Sequence, residues 1–272
     1  MATPYYTSSS STAGPSWSAG GGSGEGARPT YSYSFETLTK TNPLSPLAQR
    51  HLTRVYTWLA LASGSAALGS YAFITGYLQL PVWATLLLSL ASVFYLSGPP
   101  APSALWASPA QIRQTALLTV AFTQGNAIGS LLNVALYVDP RIVTTALAGT
   151  LAVFTCFTAS AIFSRSRVGL YFGGLLGSAL SVLALLSWVN GLFLRSEALF
   201  ALQLYGGLAI FSFYIIYDTQ KILHQIDMGY LDAAGQAFEL YTDAFAVFVR
   251  LLIILLRKEE NRERRRDNRK RS

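Results

Sequence analysis

The chain has 272 residues, of which 51% are apolar and only 12% charged, with a formal net charge of +7. Soluble domains carry about twice that charged fraction, so a water-soluble enzyme or nucleic-acid-binding module is excluded despite the positive sign. From Val55 to Ile112 there is no Lys, Arg, Asp or Glu, and a run that long cannot supply a water-facing surface.

Roughly 20 apolar helical residues match a bilayer core about 30 Å thick, where every backbone polar group must be satisfied internally. The fold class expected is therefore an all-α polytopic membrane protein. Residues 1–45, with "SSSSTAGPSWSAGGGSGEGARP", are too poor in apolar residues to build a core and are expected to be a disordered tail. A basic stretch leading into an apolar one is missing there, so the first spanning helix is expected to carry the targeting information. A transmembrane domain over 46–256 and a basic tail over 257–272 complete the expected organisation.

Apolar segments are predicted near 52–75, 81–98, 112–137, 142–163, 169–189, 197–223 and 235–256. Pro81 opens the second, "SGPPAPS" closes it, "YVDPR" parts the third from the fourth, and "SRSR" the fourth from the fifth. Small residues recur at packing spacing in Ser65-xxx-Gly69, Gly125-xxx-Gly129 and Gly173-xxx-Gly177, which lets helices approach closely within one bundle. Gln124, Asn126 and Asn133 of the third segment either line a wet path or bond neighbouring helices. Cys156 is expected to be buried in its apolar segment, and one cysteine forms no intramolecular disulfide and no thiolate metal site. His51 and His224 sit at predicted helix ends, where solvated roles are expected.

Basic residues set an orientation with a conflict inside it. Lys40, Arg50 and Arg54 flank the first segment, and Arg113, Arg165, Arg167 and Lys221 follow the even-numbered ones. The positive-inside rule puts that end in the cytosol. The last sixteen residues, "RKEENRERRRDNRKRS", hold nine basic and four acidic side chains and are claimed for the cytosol by the same rule. Seven full crossings would separate the two clusters; a last segment that enters and returns would reunite them. Anionic lipid headgroups are a further partner for the tail, and Arg264-Arg265-Arg266 could serve endomembrane retention.

The residues that carry chemistry are acids in apolar runs. A charged side chain at bilayer depth costs about 3 kcal/mol on insertion scales and is kept only where it faces a bundle interior or a wet cavity. Asp218 lies in "YDTQKIL"; Glu239 and Asp243, four apart and hence on one helix face, lie in "AFELYTDAFAVFVRLLIILL". A hairpin through "HQIDMGYLDAAGQ" would bring Asp218 and Asp243 to similar depth. Two carboxylates in one poorly hydrated site cannot both ionise cheaply, so the pair would be proton-sensitive. Its ionised form would be a hard-oxygen site suited to calcium. Glu239 and Asp243 are candidate pore or cation-site residues, and Arg250 and Lys221 candidate counter-ions. The bland alternatives place Asp218 in interfacial water at a helix end and make Glu239 the cap of the last helix. No GxxxxGK[ST] loop, HExxH helix or nucleophile motif is present, so neither an enzyme nor a cofactor site is expected.

On "YDTQKIL", "FELYTDAFAVFVRLLIILL", "FTCFTASAIFSRSR" and "SPLAQRHLTRVYTWLALASGSAALGSYA", the chain from about Pro46 onward resembles the Bax inhibitor-1 family, also called transmembrane Bax inhibitor motif proteins. The resemblance implies six to seven transmembrane helices wrapped around a central C-terminal helix. It also implies a pH-sensitive calcium leak in the endoplasmic-reticulum membrane that suppresses stress-induced cell death, with a two-aspartate proton sensor at Asp218 and Asp243. Calcium and protons are then the ions handled, and the basic tail is cytosolic. Bacterial members carry an arginine at the end of the second helix that engages the two acids; here that helix ends "FYLSGPPAPS", with no basic residue. The alternative function is a membrane-embedded interaction protein that binds death regulators or stress sensors, with calcium effects indirect.

Overall fold

The computed structural model describes residues 45–98, 108–164 and 168–271. Residues 1–44 of the tail expected over 1–45, the loop over 99–107 and the basic "RSR" loop over 165–167 lie outside them. Among the described residues there is no strand. The helices are α1 Pro46–Ile74, α2 Val82–Ser97, α3 Pro109–Ala127, α4 Gly129–Val138, α5 Pro140–Phe163, α6 Gly173–Val189, α7 Glu197–Asp227 and α8 Ala233–Arg271. By length and composition, α1, α5, the stretch Gly169–Leu194 around α6, and α7 can each cross a membrane, while α2 and α4 are shorter apolar helices.

Several helices start earlier than hydrophobicity alone indicates, because capping chemistry sets the boundary. Ser45 accepts from Ala48 N at 3.1 Å ahead of Pro46. Ser108 forms a capping box with Gln111 ahead of Pro109, and Asp139 accepts from Arg141 N at 2.8 Å ahead of Pro140. A side-chain acceptor followed by proline satisfies one orphan N–H and removes another.

The third predicted segment is not one helix. It breaks at Ile128, between Gly125 and Gly129, where the chain presses hardest on α1. A Cβ on Gly125 would sit 1.9 Å from Ala66 O, one on Gly69 2.1 Å from Phe122 O, and one on Gly129 2.5 Å from the Phe73 ring. Ser65 Oγ donates to Leu118 O at 2.8 Å across the same seam. Asn126 is fully used there: its Nδ2 donates to Gly69 O and Leu78 O, and its Oδ1 accepts from Leu80 N. Gly173 likewise leaves room for the Tyr217 ring of α7. The small-residue spacings thus serve packing inside the bundle.

α8 is the helix around which the others gather, packing on α7, α1 and α5 and more lightly on α2, α3 and α4. It is one continuous helix that carries on through the basic residues to Arg271, so the last segment does not turn back on itself. It runs antiparallel to α7 along its length: Gln236 bonds Gln225 near one end, and the Arg257 guanidinium lies over the Phe200 ring near the other. His51, at the start of α1, bonds Gln236 at 2.7 Å. The N-terminal flank and the C-terminal tail therefore leave at opposite ends of the bundle.

Two apolar clusters fill the interior. One joins α1, α3, α7 and α8 through Leu52, Val55, Leu117, Ile222 and Leu240. The other joins α4, α5 and α8 through Leu132, Ala146 and Leu252. The outer surface is apolar too, with Leu68, Leu86, Phe94, Leu151, Leu175, Leu185 and Phe213 more than half exposed. On a soluble monomer such a surface would be far beyond the usual patch size; here it faces lipid. Cys156, expected to be buried, is on this exposed surface, because its helix turns only one stripe inward.

Candidate functional site

The acids are positioned by the inward stripes of α7 and α8. On α7, Ile215, Asp218, Thr219 and Ile222 are all buried; on α8, Gln236, Leu240, Asp243 and Val247 are. Both sets follow the three-and-four spacing of one helix face, so each aspartate is carried inward with the apolar residues that drive packing. Asp218 is 7% exposed and Asp243 4%, and their carboxyls are close enough to hydrogen-bond to each other. Such a contact is attractive when one carboxyl holds a proton and repulsive when both are ionised. Asp218 lies nine residues before the end of α7 at Asp227, not in interfacial water at a helix terminus.

Glu239 faces the pair from one turn earlier on α8 and is within electrostatic reach of both aspartates. It does not cap α8: Asp232 does, its Oδ1 accepting from Gly235 N at 3.2 Å. Instead Glu239 Oε1 accepts from Lys221 Nζ at 2.6 Å, and the same ammonium stands 4.0 Å from Asp218 Oδ1. Three acids thus share one lysine. Asp243 Oδ2 and Glu239 Oε2 are enclosed without a hydrogen-bond partner among the described residues. Tyr214 lies beside the cluster, its ring edge-on to Tyr217 at 6.0 Å.

Of the two candidate counter-ions, the structure brings Lys221 to the acids and not Arg250. Arg250 Nη1 donates to Ala246 O at 2.9 Å, and its guanidinium covers the Phe211 ring at 4.4 Å. Seven residues beyond Asp243 is the right helix stripe but about 10 Å further along the axis, where Gly207 and Phe211 of α7 receive it. As for a resident metal, no group of three or more His, Cys, Asp or Glu among the described residues is arranged to hold one.

Reasoning from the sequence missed a second polar knot at the end of the bundle where α1 starts. Arg113, 3% exposed, pairs with Asp232. It also donates to Leu96 O at 2.7 Å, Gly98 O at 3.0 Å and Tyr95 O at 3.2 Å, carbonyls that close α2. Gly235 makes this possible, since a Cβ there would stand 2.8 Å from Arg113 Nη2. The signal was present: Arg113 is the only charged residue between Arg54 and Asp139, and an isolated charge in an apolar run needs a partner. His51 and His224, expected in solvent, are each 6% exposed; His51 belongs to a chain of side-chain bonds through Gln236 to Gln225.

Comparison with known proteins agrees with the geometry. The family model "Inhibitor of apoptosis-promoting Bax1" matches residues 48–261. A protein named Bax inhibitor 1 from Arabidopsis thaliana is 37% identical over 232 residues, covering 85% of this chain and 91% of the relative. Proteins of the same name from Oryza sativa subsp. japonica and Homo sapiens are 34% and 35% identical, over 88% and 85% of this chain and 93% and 95% of their own length.

Proposed function

The chain belongs to the Bax inhibitor-1 family, and from that membership we propose that it is a multi-pass protein of the endoplasmic-reticulum membrane that suppresses stress-induced cell death by a pH-sensitive calcium leak. The observation that carries this reading is the Asp218–Asp243 contact, buried between α7 and α8, which run antiparallel against each other at the bundle's centre. Gaining or losing one proton there switches the contact between attraction and repulsion, so it changes how α7 sits on α8. Lys221 and Glu239 set the electrostatic background of that switch, Lys221 as the counter-ion. Calcium passes as a permeant ion, meeting the carboxylates of Asp218, Asp243 and Glu239 in transit.

We take the passes to alternate through α1, α2, α3 with α4, α5, α6, α7 and α8, which gives seven crossings. The tail is assigned to the cytosol by its nine basic side chains. With the passes alternating, the Arg113–Asp232 end then faces the other compartment, and this arrangement is proposed in place of the one in which both basic clusters share the cytosol.

The test is calcium efflux from liposomes containing only this protein, across pH, for wild type and for Asp218→Asn and Asp243→Asn. Each substitution is expected to alter efflux and flatten its pH response. An efflux-versus-pH curve unchanged by both would sink the gating reading.

A second reading draws on one observation: α8 extends as a helix beyond the bundle to Arg271, offering a rigid basic arm to membrane-bound death regulators or stress sensors. Deleting 258–272 separates the two. A truncated protein that still leaks calcium but no longer protects cells assigns protection to the arm.

A further inference from the structure

A groove of about 520 Å³ opens sideways between α5, α6 and α7, lined by Ser160, Phe172, Leu175, Phe213, Tyr217 and Gln220. That volume is within the range of about 300–1,000 Å³ for small-ligand sites. Phe172, Leu175 and Phe213 are each at least half exposed, so the groove communicates with lipid and not with the bundle interior. One feature is out of place in so apolar a slot. Gln220 is 3% exposed, yet its amide has no hydrogen-bond partner among the described residues. Its Oε1 is enclosed against the backbone of Gly169, where a Cβ would come within 2.5 Å. That leaves the Nε2 end of the amide as the part that can serve the groove.

An amide N–H that faces an apolar slot without an acceptor costs about 1–3 kcal/mol, and within a bilayer water is a poor source of relief. Gln220 lies seven residues before the end of α7 at Asp227, about 10 Å in from the helix end. α7 is long enough to cross a bilayer, so a groove that opens this close to its end meets lipid near one headgroup layer. The acceptors available there are the ester carbonyls of glycerophospholipids, each attached to a flexible apolar chain.

We propose that the groove is a glycerophospholipid site, with one acyl chain lying between α5, α6 and α7 and its ester carbonyl accepting from the Gln220 amide. The chain packs along Phe172, Leu175 and Phe213, and the headgroup emerges beside Ser160 and Ser164. The inference does not depend on calcium flux; it requires only that the helices span a membrane.

Protein purified in mild detergent is examined by native mass spectrometry, with the retained lipid identified after extraction. Wild type is expected to hold one glycerophospholipid through washes that remove bulk lipid. Gln220→Leu keeps the size of the side chain and removes the donor. Ser160→Phe fills the groove from an exposed position and leaves the core alone. Each is expected to lower retention at least five-fold, whereas Ser178→Phe, exposed on α6 outside the groove, keeps it. Wild-type retention in either groove variant overturns the proposal, as does a wild type that holds no lipid, or holds a sterol or free fatty acid in place of the glycerophospholipid.

Discussion

Lys221 Nζ is 2.6 Å from Glu239 Oε1, so an ammonium from α7 is tied to a carboxylate from α8 one turn away from the buried aspartates. The side chains are 23% and 32% exposed, so solvent weakens the pair without abolishing it. Removing the lysine leaves Glu239 and Asp218 with no cation paired to them among the described residues. Lys221→Met is expected to lower unfolding stability in detergent by about 1–2 kcal/mol, below the 3–5 kcal/mol of a fully buried pair. The double variant Lys221→Met/Glu239→Gln should recover at least about 0.5 kcal/mol of that loss in a double-mutant cycle. Strict additivity of the two changes would show that the contact contributes nothing.

Arg113 and Asp232 form the more consequential ion pair. The arginine fork bonds three carbonyls of the closing turn of α2 while holding the residue that caps α8. Arg113→Leu strands Asp232 and the carbonyls, and a loss of about 3–5 kcal/mol is expected. Arg113→Lys should recover little, because an ammonium cannot reproduce a planar fork on spread acceptors. Thermal unfolding of the two variants checks this, and a lysine variant as stable as wild type would contradict it.

The difference between these two pairs shows what could be read in the chain. Asp218, Glu239 and Asp243 were legible as a cluster because carboxylates in apolar runs are costly, and because a hairpin with helical spacing fixes their faces. Lys221 against Arg250 was not legible. Both lie on stripes compatible with the acids, and only the antiparallel register of α7 on α8 decides which one arrives. That register is set at its two ends, by Gln225 with Gln236 and by Phe200 with Arg257, and neither contact is visible to hydropathy. Helix starts were similarly hidden in Ser45-Pro46, Ser108-Pro109 and Asp139-Pro140, where a cap and not apolarity marks the boundary. The break at Ile128 escaped because a Gly-xxx-Gly spacing predicts close approach but not the bend that accompanies it.

Glycines give a prediction with a built-in control. A Cβ at position 125 meets backbone, Ala66 O at 1.9 Å, and backbone cannot rotate away. Gly125→Ala is expected to lose at least about 2 kcal/mol through forced separation of α1 from α3, in the range of overpacked cores. Gly64 and Gly174 have no atom within 4 Å of the same virtual carbon, and their alanine variants should lie within about 1 kcal/mol of wild type. Equal unfolding temperatures for Gly125→Ala and Gly64→Ala would mean that the seam is looser than its geometry.

The continuity of α8 makes the placement of the two chain ends testable without reference to any transport activity. His51 near the start of α1 meets Gln236 near the start of α8, whereas Arg257 meets Phe200 near the start of α7 at the other end. The N-terminal flank and the tail therefore leave at opposite ends of the bundle, and they are expected on opposite sides of the membrane. Epitope tags placed before Met1 and after Ser272, in sealed vesicles of one orientation, should show one tag open to protease and one protected until detergent is added. If both tags are cut in intact vesicles, α8 must fold back before Arg257 in the membrane. The side-by-side course of α7 and α8 that holds Asp218 against Asp243 would then have to be redrawn.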